Sequence, residues 1–163
     1  MIKKKICILG AFAVGKTSLV EKYVKSIFSD KYHTTIGVKT DQKDLVVEGK
    51  EVRLIIWDIN GEDDYQHVKP SYLMGLSGYL LVVDGTRKET LKVAFDLNKL
   101  VTKTVGKKEF ILMINKFDLK ESWELTKSDE EQLDQLGWKI VKTSAKSGEN
   151  VNQTFNELAT SII

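Results

Sequence analysis

Residues Gly10-Ala11-Phe12-Ala13-Val14-Gly15-Lys16-Thr17 lie between an apolar run at 5–9 and a segment of helical spacing at 16–25. They fit the pattern G-x-x-x-x-G-K-[ST], and that pattern restricts the surrounding fold tightly. Its glycines let the backbone wrap close around an anion. Its amides, with the amino end of the following helix, favour anionic oxygens. Lys16 should reach the outer phosphates of a nucleotide. Thr17 should place its hydroxyl on Mg²⁺, which prefers oxygen ligands and keeps several waters. Ala13, Val14, Gly15, Lys16, Thr17 and Ser18 are therefore the expected polyphosphate cradle. An ordinary glycine turn would match by chance in roughly one chain in two hundred. The strand before it and the helix after it make that reading weaker still.

The rest of the chain has the rhythm such a loop needs. Short apolar runs at 5–9, 54–57, 79–83, 110–114 and 139–141 alternate with helix-period segments. Alternation of this kind indicates a mainly parallel sheet with helices on both faces. The stretch 38–47 is far more polar and belongs at the sheet edge. Glu48-Gly49-Lys50 would turn it back as a hairpin, giving one antiparallel edge pair. Helices are expected at 16–25 and at 89–105, where Leu91, Ala94, Leu97 and Val101 share a face. Ser128 with Glu131 reads as a capping box, and Gly137 as the stop after Leu133 and Leu136. Val151, Phe155, Leu158 and Ile162 mark a last amphipathic helix. Segments 26–39 and 61–75 lack such patterns and read as mobile loops. One domain over 1–163 is expected.

A second site feature follows the apolar run at 110–114. Asn115-Lys116-Phe117-Asp118 reads as N-K-x-D. The carboxylate of Asp118 can accept from guanine N1–H and the 2-amino group. Adenine offers no donor at either place, so such a site discriminates strongly. The stem of Lys116 can lie on the base, and Asn115 would tie neighbouring loops together. Thr143-Ser144-Ala145-Lys146 follows the last strand, at the carboxyl end where α/β sheets bind ligands. There the amide of Ala145 would donate to guanine O6. Each tetrapeptide is weak alone; order and placement give them force.

These ordered motifs resemble the Ras superfamily of small GTPases, nearest to its Rab branch, over essentially the whole chain. The resemblance implies a P-loop NTPase fold of the α/β class, with a mainly parallel six-stranded sheet and one antiparallel edge strand. It implies GTP or GDP bound with Mg²⁺. It makes Thr35 a Mg²⁺ and γ-phosphate ligand, Asp58 a support for Mg²⁺ through water, and Gly61 a γ-phosphate contact. Phe28 matches the aromatic packed against the base, and Tyr32 the tyrosine of the first switch segment. Ser144, Ala145 and Lys146 complete the implied nucleotide set. Trp57 and Tyr72 match two of three Rab effector-facing aromatics, while Thr40 stands where the third is phenylalanine.

The departures from the family bear on hydrolysis. Phe12 and Ala13 replace small residues, Asn60 replaces an alanine, and Glu62 stands where the family has its catalytic glutamine. The implied catalytic set is Glu62, Gly61, Lys16 and Thr35. A glutamine amide can accept from water and donate to phosphate, whereas an ionised Glu62 only accepts. Phe12 would occupy space beside the γ-phosphate that an incoming arginine uses. The only arginines are Arg53, inside a strand, and Arg87, just past another; neither reads as an arginine acting in cis. Slow hydrolysis is expected. The alternative is that Phe12 folds aside and Glu62 still positions water.

A net charge of +2 gives no reason to expect a nucleic-acid surface. The single cysteine, Cys7, reads as a buried small hydrophobe, consistent with a reducing compartment. The lysines at 3–5 precede an apolar stretch too short for a secretory signal, and no run is long enough to span a membrane. No cysteine stands near Ile163 for prenylation. A cytoplasmic monomer is expected, with membrane association only through a tail or partner. Its partners would be effector and regulator proteins reading residues Tyr32 to Thr40 and Gly61 to Gly75. Three functions compete at this point: a nucleotide-state switch, a GTP-locked scaffold, and an ATP-using enzyme, against which Asp118 argues. His33, His67, Asp63 and Asp64 read as solvated, and Trp123 and Trp138 as packing residues.

Overall fold

Strand β1, Ile2–Gly10, shows why the apolar runs have no polar side. Ile6 and Ile8 enter one hydrophobic core, while Cys7 and Leu9 enter a second. Alternate side chains of a strand point to opposite faces, so covering both faces demands a continuous apolar run. In β4, Leu76–Asp84, Leu80 and Val82 join the first core and Tyr79, Leu81 and Val83 the second. In β5, Glu109–Asn115, Ile111 and Met113 go one way and Leu112 and Ile114 the other. Burial pushes the Cys7 thiol up to about 12 against the opposing charge of Lys5, which fits a core residue.

The computed structural model describes residues 1–28, 37–59 and 68–163. Adding β2, Val38–Val47, β3, Lys50–Ile59, and β6, Ile140–Lys142, gives one six-stranded sheet in the order β2-β3-β1-β4-β5-β6. β2 pairs antiparallel with β3, and the other neighbours are parallel. This is the α/β architecture of the P-loop NTPases. The polar stretch at 38–47 is the edge strand, as its composition predicts. Glu48 and Gly49 have φ of 51° and 79°, the left-handed pair that a two-residue hairpin requires.

Helices cover both faces. α1, Lys16–Lys25, and α5, Val151–Ser161, contribute to the first core, where the Tyr23 and Phe155 rings stack at 4.2 Å. The Tyr23 hydroxyl also donates to Asn156 Oδ1 at 2.8 Å. α3, Glu89–Val105, covers the second core with Ala94, Leu97 and Val101. α4, Lys127–Gln135, adds Leu133, and the short α2, Pro70–Leu73, adds Leu73. Trp138 packs on Phe95 and Phe110, as a packing residue should. None of the described helices is long and apolar enough to cross a membrane.

Three local expectations need correction. The capping box of α4 is Thr126 with Asp129, not Ser128 with Glu131. Thr126 has extended backbone and accepts from the Asp129 amide, while the Asp129 carboxylate accepts from the Thr126 amide. The helix therefore starts two residues earlier than the alternative box would place it, just after buried Leu125. Leu136 falls beyond the last helical turn and is exposed; Gly137 at φ 78° ends the helix as predicted. The patternless segments are also shorter than expected, since Val38 and Lys39 belong to β2 and Pro70–Leu73 is helical.

Candidate functional site

β1 and α1 meet at the phosphate loop, and glycine is needed at both of its ends. A Cβ on Gly10 would lie 2.4 Å from the Val82 carbonyl oxygen of neighbouring β4. One on Gly15, at φ 104°, would lie 2.4 Å from Asn115 Nδ2. Between them Ala13 adopts φ 61°, a left-handed conformation that costs an L-residue about 1–2 kcal/mol. Val14 is fully buried, Phe12 is about one-third exposed, and Ser18 follows Thr17 in the first turn of α1.

Lys16 is buried and donates from Nζ to the carbonyls of Gly10 and Ala11 at 3.0 and 3.1 Å. Burial lowers its pKa to about 8; the Asp58 charge opposes that shift and the Arg87 charge adds to it. A desolvated ammonium at the mouth of an amide-lined loop is well placed for an anionic ligand. The Thr17 hydroxyl donates to Asp58 Oδ2 at 2.6 Å. Burial raises the Asp58 pKa, while the Thr17 hydrogen bond and the Lys16 charge partly offset the rise. Asp58 Oδ1 is buried and accepts no hydrogen bond among the described residues. An orphaned carboxylate oxygen beside a threonine hydroxyl suits a hard cation such as Mg²⁺.

The base loops are assembled by side chains. Asn115, buried at the end of β5, donates from Nδ2 to the Val14 carbonyl at 2.9 Å. Its Oδ1 accepts from the Thr143 hydroxyl at 3.2 Å and from the Ala145 amide at 3.3 Å. One amide side chain thus joins the phosphate loop to both base loops, the tie expected of it. The Ala145 amide, expected to donate to guanine O6, is engaged by Asn115 in this structure. Asp118 opens the short 3₁₀ helix Phe117–Ser122 and accepts from the buried Ser144 hydroxyl at 2.7 Å. Lys146 is exposed next to Ala145. Lys116, at φ 72°, sends its Nζ to the Ala13 carbonyl at 3.1 Å. Trp123 packs over Gly85 and donates to the Lys116 carbonyl at 2.8 Å, so this packing residue also orders the base loop.

Phe28 packs on the first core beside α1. Thr40 lies directly opposite Trp57 in the β2–β3 ladder, and the Trp57 and Tyr72 rings are 6.5 Å apart. The predicted residues Tyr32, Thr35, Asn60, Gly61 and Glu62, with His33, Asp63, Asp64 and His67, lie outside the described residues.

Two residues of the site escape sequence reasoning. Asp84, at the end of β4, is buried and ion-pairs with Lys116 Nζ at 2.9 Å. Burial pushes its pKa up, but hydrogen bonds from Lys116 and Thr86 outweigh that and hold it below the ordinary value. Arg87 donates from Nη2 to the Phe12 carbonyl at 2.5 Å, a contact with the loop backbone. Arg53 keeps to the sheet edge, forked onto Asp44 at 2.7 and 3.0 Å. The one available signal was positional: an apolar strand beside β1 ending on a carboxylate at the sheet's carboxyl edge.

The sequence profile of the Ras family matches residues 5–163. The chain belongs to the Ras family. Human Ras-related protein Rab-12 is 32% identical over 164 aligned positions, covering 99% of this chain and 67% of the relative. Ras-related protein Rab-21 of Geodia cydonium is 33% identical, covering 99% and 72%. Bovine Ras-related protein Rab-3C is 31% identical, covering 94% and 69%. This Ras-family chain is therefore a Rab-like GTP-binding switch of the GTPase class. Its family binds GTP and GDP, generally with Mg²⁺, and works through regulator and effector proteins.

Proposed function

We propose that this chain, as one domain over residues 1–163, alternates between GTP- and GDP-bound forms and hydrolyses GTP slowly. The observation that carries the reading is Asn115, whose amide joins the phosphate loop to the loops bearing Asp118 and Ala145. The amides at 13–18 and Lys16 hold the phosphates. Asp118, kept in place by Ser144, would accept from guanine, while Lys116, Lys146 and Phe28 would flank the base and Tyr32 would join the nucleotide-binding set. Thr17 and Thr35, with Asp58 through water, would hold Mg²⁺, which screens the outer phosphate oxygens when bound. In hydrolysis the water oxygen bonds to the γ-phosphorus, the β–γ bridging P–O bond breaks, and its electron pair stays on GDP. Gly61, Thr35 and Lys16 would bind the γ-phosphoryl oxygens, and Glu62 would act on the water. An ionised Glu62 accepts a water proton but donates nothing to the phosphoryl group.

Affinities for GTP, GDP and ATP, each with and without Mg²⁺, test the binding half. A preference for ATP would remove the reading. Single-turnover hydrolysis tests the chemistry: Glu62→Gln is expected to raise the rate about 10-fold or more. An unchanged or lower rate would show that Glu62 already positions water. The second reading, a GTP-locked scaffold, draws on Phe12, which stands one-third exposed on the phosphate loop. Copurified GTP would favour it, and copurified GDP the cycling switch. Residues 32–40 and 61–75 are the surfaces that partners would read in either case.

A further inference from the structure

The carbonyls of the phosphate loop need donors of their own. Two of them, on the adjacent residues Phe12 and Ala13, each receive a cationic side chain. Lys116 Nζ donates to the Ala13 carbonyl at 3.1 Å, and Arg87 Nη2 to the Phe12 carbonyl at 2.5 Å. Both cations rest on one buried carboxylate. Asp84 Oδ2 accepts from Lys116 Nζ at 2.9 Å and from Arg87 Nε at 3.2 Å. Its Oδ1 accepts from the Thr86 amide and hydroxyl at 2.8 and 2.7 Å, so the carboxylate cannot swing away.

The turn carrying Arg87 is itself held from both sides. The buried Thr90 hydroxyl donates to the Arg87 carbonyl at 2.7 Å and accepts from the Asp84 amide at 3.0 Å. The Trp123 ring fills the space over Gly85, and a Cβ there would lie 2.2 Å from it. A guanidinium suits this place because its fork is planar. One nitrogen can face the carboxylate while another faces a carbonyl, without either bond bending.

We propose that Arg87 is a positioning residue that clamps Phe12 of the phosphate loop to the Asp84–Lys116 pair of the base loop and so slows nucleotide release. The inference rests on the guanine-nucleotide reading of the site. Arg87 acts through the loop backbone and touches no reacting atom.

The test is release of fluorescent N-methylanthraniloyl-GDP, chased with excess GDP, from the parent chain, Arg87→Ala and Arg87→Lys. Arg87→Ala is expected to release about 5- to 30-fold faster, in line with loss of a charge-assisted hydrogen bond. Arg87→Lys keeps the charge but loses the fork, so it should fall between the two. Added guanidinium ion should slow release from Arg87→Ala again, which a general weakening of the fold would not permit. The nucleotide-free thermal midpoint of Arg87→Ala should stay within about 2 °C of the parent. Release from Arg87→Ala at the parent rate overturns the clamp. So does acceleration that neither lysine nor guanidinium reverses. A parent chain that fails to retain the fluorescent GDP instead overturns the site reading, and the clamp with it.

Discussion

The phosphate loop and the base loops sit at the same end of the sheet, yet they are held in shape by different means. The phosphate loop is one contiguous stretch whose form comes from its backbone. Gly10 and Gly15 leave room where Val82 and Asn115 approach, and Lys16 ties back to the carbonyls of Gly10 and Ala11. The base loops come from two distant stretches of chain, after β5 and after β6. Backbone bonds align them, Phe117 to Thr143 at 3.0 Å among others, but side chains lock them together. Asn115, Ser144 and Trp123 do most of that locking. Damage to the first region should therefore act through chain geometry, and damage to the second through the loss of one hydrogen-bonding group.

The comparison breaks most visibly at Asp118. Asp118→Ala should cost GDP affinity about 3–6 kcal/mol, roughly 10²- to 10⁴-fold, and ADP affinity far less, with a modest loss of stability because the Ser144 hydroxyl loses its acceptor. Isothermal titration with both nucleotides reads it, and an equal loss for ADP would show that the carboxylate supports the loop rather than the base. Gly15→Ala probes the other region. Its Cβ must displace the Asn115 amide from Val14, so urea unfolding should show a loss of about 2–4 kcal/mol even without nucleotide. Unchanged stability would mean the two regions are less tightly joined than the Asn115 bonds imply. The smallest effect should have the opposite sign. Ala13→Gly relieves a left-handed alanine and should raise stability by about 0.5–1 kcal/mol, read as a higher urea midpoint. A lower midpoint would show that the methyl group packs well enough to outweigh its backbone.

The same division explains what the sequence made visible. The phosphate loop is readable because its residue types are fixed within eight consecutive positions flanked by a strand and a helix, even though Val82, Arg87, Asn115 and Lys116 constrain it from outside. α1, β2 and α3 were bounded to the residue for a similar reason: their burial pattern is local and regular. The box of α4 is ambiguous in the sequence because two serine- or threonine-to-acid words overlap, and the structure uses Thr126 with Asp129. The Arg87 contact with the phosphate loop is not legible in the sequence, because its partner, Phe12, is 75 positions away. No local pattern records that the turn after β4 lies against the turn after β1; the parallel pairing of those two strands brings them together. Asn115, by contrast, belongs to a recognisable tetrapeptide, so its role was expected even though its partners are as far apart.

One rung of the sheet has a mechanical consequence. Val38, the first residue of β2, pairs with Ile59, the last of β3. The described chain therefore enters β2 and leaves β3 across a single rung of the ladder. Asp58 lies one step inside that rung, and Thr40 and Trp57 face each other two steps in. Tension at the start of β2 is therefore carried to the end of β3, one residue from Asp58, through the ladder itself.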